Sequence, residues 1–562
     1  MSETADLIVV GARVHTGAAE ARDAEGVAVR GGRIAAVGTA SELRALAGPR
    51  TEVLDLAGAT LLAGMNDAHI HLGQWGASRP PLALDVSPRV VTSIADIAGL
   101  VREAAAGQAP GTWIRGYGWD LGFLAECVAD PRRRLTKADL DAVAPDHPVI
   151  LSDFSLHAIW VNSKALEIAG VTAATPTPTG GDISRDARGE PEGLLSEFAA
   201  MGLVQQHVPE LTREERRTAI RAATEELHKL GTTSITDPAL GPGGGGMLGT
   251  ETLRAYEDLA RDGELGLRVS ALLLFGVDGT VTPDHMREGL EGFEVDAPEG
   301  SRLRVAGIKI FGDGIPPLHT AWLSRPYADI PSRGSLVIPG ADDAARVAEL
   351  HELVRLAHEA GHQVGIHATG DAAIDATVDA FAAAVARHPR ADTRHYVIHA
   401  DLTYAATLRT MGEHRFGASS QPSIKTAAAH LSALLLGEER ASYQWPYRSM
   451  IDAGVPLVFS SDAPVVWPDW RQGVAAAVLR TSAANGIVYG PEERITVQEA
   501  IAAYTTGGAW QDFAEDEKGT IEVGKVADLC VLGGDPFTAD PAEIPEMPIL
   551  ATVLDGEPVH VA

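Results

Sequence analysis

The 562-residue chain carries 46 Lys+Arg against 76 Asp+Glu, a formal charge of −30, with 45% hydrophobic residues and two cysteines. Cys127 and Cys530 exclude a disulfide framework and a cysteine-rich zinc site, so any bound metal has to rely on His and carboxylate groups. The acidic balance repels phosphate backbones and anionic lipid, and no Lys/Arg run offsets it, so the expected partner is a small molecule, not nucleic acid or a membrane.

The opening MSETADLIVV lacks a basic region ahead of its short apolar stretch, and no window approaches the roughly 18 apolar residues of a membrane span. The expectation is a cytoplasmic protein, with self-association left open. Residues 1–60 hold apolar runs broken at Gly11 and Gly31-Gly32, with alternation that suits half-buried strands. Residues 516–562 repeat that style in GTIEVGKVADLCVLGGDP and ILATVLDGEPVHVA, so one β layer built from both chain ends is expected.

The middle reads differently. TLLAGMNDAHIHL (60–72) predicts a strand, with 61–74 assigned to the first barrel strand. From 231 to 515, strand candidates at 232–238, 268–276, 304–314, 363–371, 394–402, 415–423 and 456–464 alternate with amphipathic helices such as 341–361 and 372–388. Eight buried strands in β/α alternation predict an α/β fold with a closed (β/α)8 barrel. Residues 75–230 exceed any ordinary βα connection and predict an inserted subdomain over the barrel mouth.

His69 and His71 in AHIHL, placed on a strand of period two, would point to one side. Lys309 in IKIFGDG, His367 in GIHATGD, His399 in VIHAD and Asp462 in SSDAP each fall near the C-terminal end of a further strand. Singly, each is as well explained by structure. Together, five strand ends presenting such groups amid apolar neighbours would bury unpaired charge at great cost unless a cation gathers them.

On these motifs, together with LHAIWVNSKAL, GLLSEFAA, GTTSITD, SSQPS and GTIEVGKVADLCVL, the chain resembles the amidohydrolase superfamily, in particular its YtcJ-like, N-substituted formamide deformylase group. The resemblance covers nearly the whole chain. It implies a barrel flanked by a β-sandwich of both termini and a divalent metal centre of one or two ions, zinc by default. It further implies that His69, His71, His367, His399 and Asp462 are ligands and that Lys309 is carboxylated to bridge two ions. Ala63, Asn66 and Ser460 depart from the family pattern, Ser460 standing where Gly usually precedes the SD pair.

The expected chemistry is attack of metal-bound hydroxide on a non-peptide amide, with Asp462 passing the proton to the departing amine. His157 and Asn162 match a motif of the insertion, His157 as a catalytic hydrogen-bond donor. Trp75, Trp119, Trp160, Asn162, His319 and Trp467 are the substrate-binding candidates, which favour a substrate with an apolar or aromatic group. A cyclic amide or an ester is the alternative within the class. Outside it stand a binding protein without turnover and an NAD(P)-dependent oxidoreductase, the latter prompted by a G-x-G-x-x-G at Gly241, Gly243 and Gly246.

Overall fold

A computed structural model describes residues 4–18, 24–130, 132–154, 158–178, 181–276 and 280–562. They form two compact units, one of residues 1–72 with 223–562 and one of residues 73–222.

The first unit contains eight strands, β1 (Met65–Asp67), β2 (Thr232–Leu240), β3 (Arg268–Leu273), β4 (Leu303–Phe311), β5 (Gln363–Ala368), β6 (Tyr396–His399), β7 (Gly417–Ser420) and β8 (Leu457–Phe459). Each pairs in parallel with the next in chain order, and β8 meets β1 through an Ala68 N–H to Phe459 O bond of 3.4 Å. This is the (β/α)8 barrel. Its strands are apolar and buried along most of their length, as a parallel sheet covered on both faces requires: all nine residues of β2 and all six of β5 are inaccessible. The helix Asp343–Glu359 lies within its predicted range and Asp371–Arg387 matches its own to one residue at each end, the first started by the Asp342 carboxylate accepting from the Ala345 N–H.

The predicted first strand is two strands. Thr60–Ala63 runs antiparallel to Leu529–Leu532 in a terminal sheet, and only Met65–Asp67 enters the barrel. Gly64 makes the transfer possible, since a Cβ there would stand 2.2 Å from Thr233 Oγ1. His69 and His71 therefore lie beyond the strand end and not on it.

The chain ends build two further sheets, the first from N-terminal strands alone and the second from both ends. One orders Arg33–Gly38, Gly26–Arg30, Leu7–Val10 and Glu52–Asp55; the other orders Arg13–Val14, Thr60–Ala63, Leu529–Leu532, Ile549–Leu554 and Glu557–Val561. Val9, Val27, Leu61, Leu529, Val531 and Val553 pack into one core cluster drawn from both.

The second unit is built on a six-stranded mixed sheet in which Ala158–Val161 lies between Pro191–Ser196 and Val149–Asp153. Trp119 and Trp160 belong to its core, their indole N–H groups bonded to Leu151 O (2.8 Å) and Thr136 O (2.9 Å). Asn162 caps the helix Ser163–Ala169; its Oδ1 accepts from Val149 N and Ala165 N, and its Nδ2 donates to Ala144 O and His147 O. Three residues expected to touch substrate are thus committed to packing, for the plain reason that aromatic and amide groups anchor loops as readily as ligands. Among the described residues no helix is long and apolar enough to cross a membrane, and both cysteines are free and buried.

Candidate metal centre

Past β1 the chain bends at Ala68 and His69 and is held by neighbours on both sides: Ile70 N–H donates to Thr236 O (3.0 Å), His71 N–H to Ala463 O (3.0 Å), and Asp462 N–H to His69 O (2.8 Å). These bonds bring both imidazoles to the Asp462 carboxylate. His69 Nε2 stands 3.3 Å and His71 Nε2 3.5 Å from Asp462 Oδ1. Asp462 itself has φ of 61°, a left-handed conformation that aspartate tolerates better than most side chains. Asp67, at the end of β1, ties this corner together by accepting from the Ser461 N–H (3.0 Å). Burial drives its carboxyl up to about 7, with the Ser461 bonds opposing.

The opposite side of the rim is furnished by β4, β5 and β6. The rings of His367 and His399 meet edge to face with centroids 4.4 Å apart, and His399 lies 5.8 Å from His69 by the same measure. His399 Nδ1 is bonded to Gln421 Oε1 at 2.7 Å. His367 Nδ1 stands 3.4 Å from Asp313 Oδ1, an electrostatic contact longer than a normal hydrogen bond. Asp313 is fixed by the N–H groups of Trp322 (2.9 Å), Thr369 (3.0 Å) and Gly370 (2.9 Å), and burial pushes its carboxyl to about 7 against those bonds.

Lys309 on β4 is 1% exposed, with its Nζ 4.8 Å from the centre of the Phe311 ring. Burial pushes its ammonium down to about 7, Asp462 opposing. Burial likewise drives His71 and His367 to about 3 and lowers His69 and His399 well below the ordinary range, with the Lys309 charge adding to the effect on all four. The six predicted ligand candidates converge on one rim, and its four imidazoles are neutral.

The donor set fits a divalent ion. Two donors about 2.1 Å from one ion at a tetrahedral angle stand about 3.4 Å apart, whereas an N–H···O bond would bring them to about 2.9 Å. The observed 3.3 and 3.5 Å match ligation.

Other predicted residues lie elsewhere. His319 bonds Asp329 through Nε2 (2.8 Å) and packs its edge on Tyr327, on the segment after β4. Trp467 lines a small cavity with Met65, Asp67, Ser461 and Trp470, beneath the rim residues. Trp75, in the second unit, is buried under the Arg79 guanidinium at 4.3 Å. His157 lies outside the described residues. The glycine run after β2 makes a tight chain crossing: a Cβ on Gly243 or Gly244 would fall 2.5 Å from Phe275 O or 2.2 Å from Leu248 O. Close packing thus accounts for the fingerprint that suggested a dinucleotide. Asp67, Asp313 and Gln421 escaped the sequence reading as contributors, although all three stand inside the motifs MNDAHIH, IFGDG and SSQPS.

Residues 52–560 match the profile of an amidohydrolase family. The chain is 32% identical over 555 residues to YtcJ of Bacillus subtilis (strain 168), described as an amidohydrolase, with 98% of each chain covered. It is 30% identical over 557 residues to the N-substituted formamide deformylase of Arthrobacter pascens, covering 99% of this chain and 98% of that one. Among solved structures, an uncharacterized metal-dependent hydrolase from Pyrococcus furiosus superposes with a TM-score of 0.72 at 27% identity, over 95% of this chain and 100% of the other.

Proposed function

The chain belongs to the amidohydrolase family and is a metal-dependent hydrolase acting on carbon–nitrogen bonds; from that premise we propose that it cleaves a non-peptide amide of a small molecule carrying an apolar or aromatic group. An N-substituted formamide is the first substrate class to try, because a relative 30% identical over nearly the whole chain is named for it.

The observation that carries the reading is the spacing of His69, His71 and Asp462, three neutral or anionic donors within 4.8 Å of one another. His69, His71 and Asp462 would hold one divalent ion, and His367 and His399 a second, with Lys309 between them as a carboxylated bridge. Lys309 suits that place because it is buried on β4 and burial pushes its amine toward the neutral, nucleophilic form that carboxylation requires. Zinc suits a set of imidazoles and a carboxylate. Such an ion supplies an acidified water, with its pKa brought from about 16 toward 7, and polarises the substrate carbonyl.

The protein's own groups do the rest. Neutral imidazoles offer lone pairs instead of competing positive charge. The Asp462 carboxylate takes the proton released as the water oxygen bonds to the carbonyl carbon. It then delivers that proton to the nitrogen as the C–N bond breaks, so that a neutral amine leaves along with the acid product. Its backbone N–H, bonded to His69 O, locks this carboxylate to the first ligand pair, so acceptor and ligands move as one piece.

The test is elemental analysis of protein purified without added metal, paired with hydrolysis of N-benzylformamide, small polar amides, a cyclic amide and an ester before and after chelation. Chelator-sensitive amide cleavage favouring the aromatic compound is expected. Equal turnover of polar and aromatic amides would remove the proposed preference, and metal-replete protein inert toward the whole panel would overturn the activity.

A further inference from the structure

The two faces of the centre differ in how their imidazoles are held. His69 Nδ1 makes no hydrogen bond, whereas His399 has a built partner in Gln421, itself 1% exposed and placed directly after β7. The Gln421 side chain has only one permitted orientation. Its Nε2 faces the Ser419 carbonyl at 3.2 Å, and a carbonyl can only accept, so the amide nitrogen must be on that side. The same Nε2 donates its second proton to Ser460 Oγ at 2.9 Å, and Ser460 Oγ in turn donates to Ser420 O at 3.4 Å.

Oε1 of Gln421 is thereby left toward His399, where it too can only accept. The proton of His399 must then sit on Nδ1, and the ring's lone pair on Nε2. The tautomer needed to ligate through Nε2 is set before any ion arrives.

We propose that Gln421, anchored by the Ser460 hydroxyl, is a positioning residue that fixes the His399 tautomer and ring orientation for metal binding. The inference rests on the metal-centre reading above and adds to it a role for residues behind the centre. Ser460 occupies the place where the resemblance expects glycine, and a glycine would leave the second Gln421 N–H without its hydroxyl acceptor. Outer partners of ligating histidines typically change metal affinity by about 10–100-fold when removed, because an unheld ring spends its time in the wrong tautomer or rotamer.

The experiment measures zinc affinity of the full chain by competition with a chromophoric chelator, alongside the Tm of the metal-free protein. Gln421→Met keeps the length and the apolar packing but removes the acceptor, and should bind zinc about 10–100-fold more weakly. Gln421→Glu keeps an acceptor for Nδ1–H and should fall between Met and the wild type. Ser460→Gly, which restores the residue expected from the resemblance and should fold normally, should weaken binding in the same direction by a smaller factor.

If Gln421 serves packing alone, the order reverses: the apolar Met binds zinc as the wild type does, and the buried carboxylate of the Glu variant is the one that fails. That reversal, or unchanged affinity in both Gln421→Met and Ser460→Gly, overturns the inference while leaving the metal centre standing. A wild-type chain that takes up no zinc at all would overturn the metal-centre reading, and this inference with it.

Discussion

Two buried polar clusters of the barrel, one at its floor and one at its rim, differ instructively. At the floor, Asp512 accepts from Lys518 Nζ (2.6 Å), Asn66 Nδ2 (2.8 Å) and Thr236 Oγ1 (3.4 Å). Burial pushes its carboxyl up, but Lys518, Arg304 and Ser270 outweigh it and hold the group below the usual range. At the rim, by contrast, His69 and His71 stand 3.3 and 3.5 Å from the Asp462 carboxylate, longer than a normal hydrogen bond, and burial pushes all four imidazoles and Lys309 toward their neutral forms. The floor pairs charge with counter-charge, whereas the rim keeps its basic groups neutral around one carboxylate.

The sharpest way to break this comparison is to change the rim without changing the fold. Asp462→Asn should lower turnover by about 10²–10⁴-fold, the range of a lost general base, with the Tm of the metal-free protein little changed. Full turnover of the asparagine variant with metal bound would remove Asp462 from its role. The floor should respond oppositely. Lys518→Met strands the Asp512 carboxylate, so urea unfolding should show a loss of about 3–5 kcal/mol, as for one partner of a buried pair. Zinc affinity should stay put; a stability loss under 1 kcal/mol would show that this pair is not what stabilises the floor.

A smaller effect is expected at Asn162, whose four hydrogen bonds are all internal. Asn162→Ala should destabilise by about 1–3 kcal/mol and leave KM for every amide unchanged. A selective rise in KM would return it to the substrate site.

The smallest effect is in pH. The Val364 N–H donates to His395 Nδ1 (3.0 Å), which puts the His395 proton on Nε2, directed at His358 Nδ1 (2.9 Å). That leaves the His358 Nε2–H for the His388 carbonyl (2.7 Å). Both rings have to be neutral, and burial lowers both accordingly. With folded values below the unfolded value of about 6.5, their contribution is complete above that pH and is lost as pH falls from there toward the folded values. Chemical unfolding between pH 7.5 and 5 should show a decline that His395→Gln reduces; the same slope in the variant would assign it to other groups.

Much of the site was legible because its signals are local. A histidine pair and four isolated polar residues at the ends of apolar runs stand out in the sequence, and the β/α alternation says where those ends go. The first pair illustrates the limit. The His-x-His pattern suggests a strand, yet the strand ends at Asp67, the chain bends at Ala68 and His69, and the two imidazoles are placed by bonds to Thr236 and Ala463, residues about 170 and 390 positions away. Trp119, Trp160 and Asn162 show a related limit: a conspicuous residue type says that a group needs a partner, and only folding shows that here the partners are backbone carbonyls.

The sequence by itself determined the barrel, the two-ended β layer, the metal-competent residue types and the absence of a cysteine site, because periodicity and composition are properties of short segments. The tertiary structure alone decided that Asp67, Asp313 and Gln421 stand behind the ligand candidates, and that one lysine at the floor neutralises a carboxylate while another at the rim is pushed toward its neutral form. Those outcomes depend on desolvation and on partners hundreds of residues apart, which exist only once the chain has closed on itself.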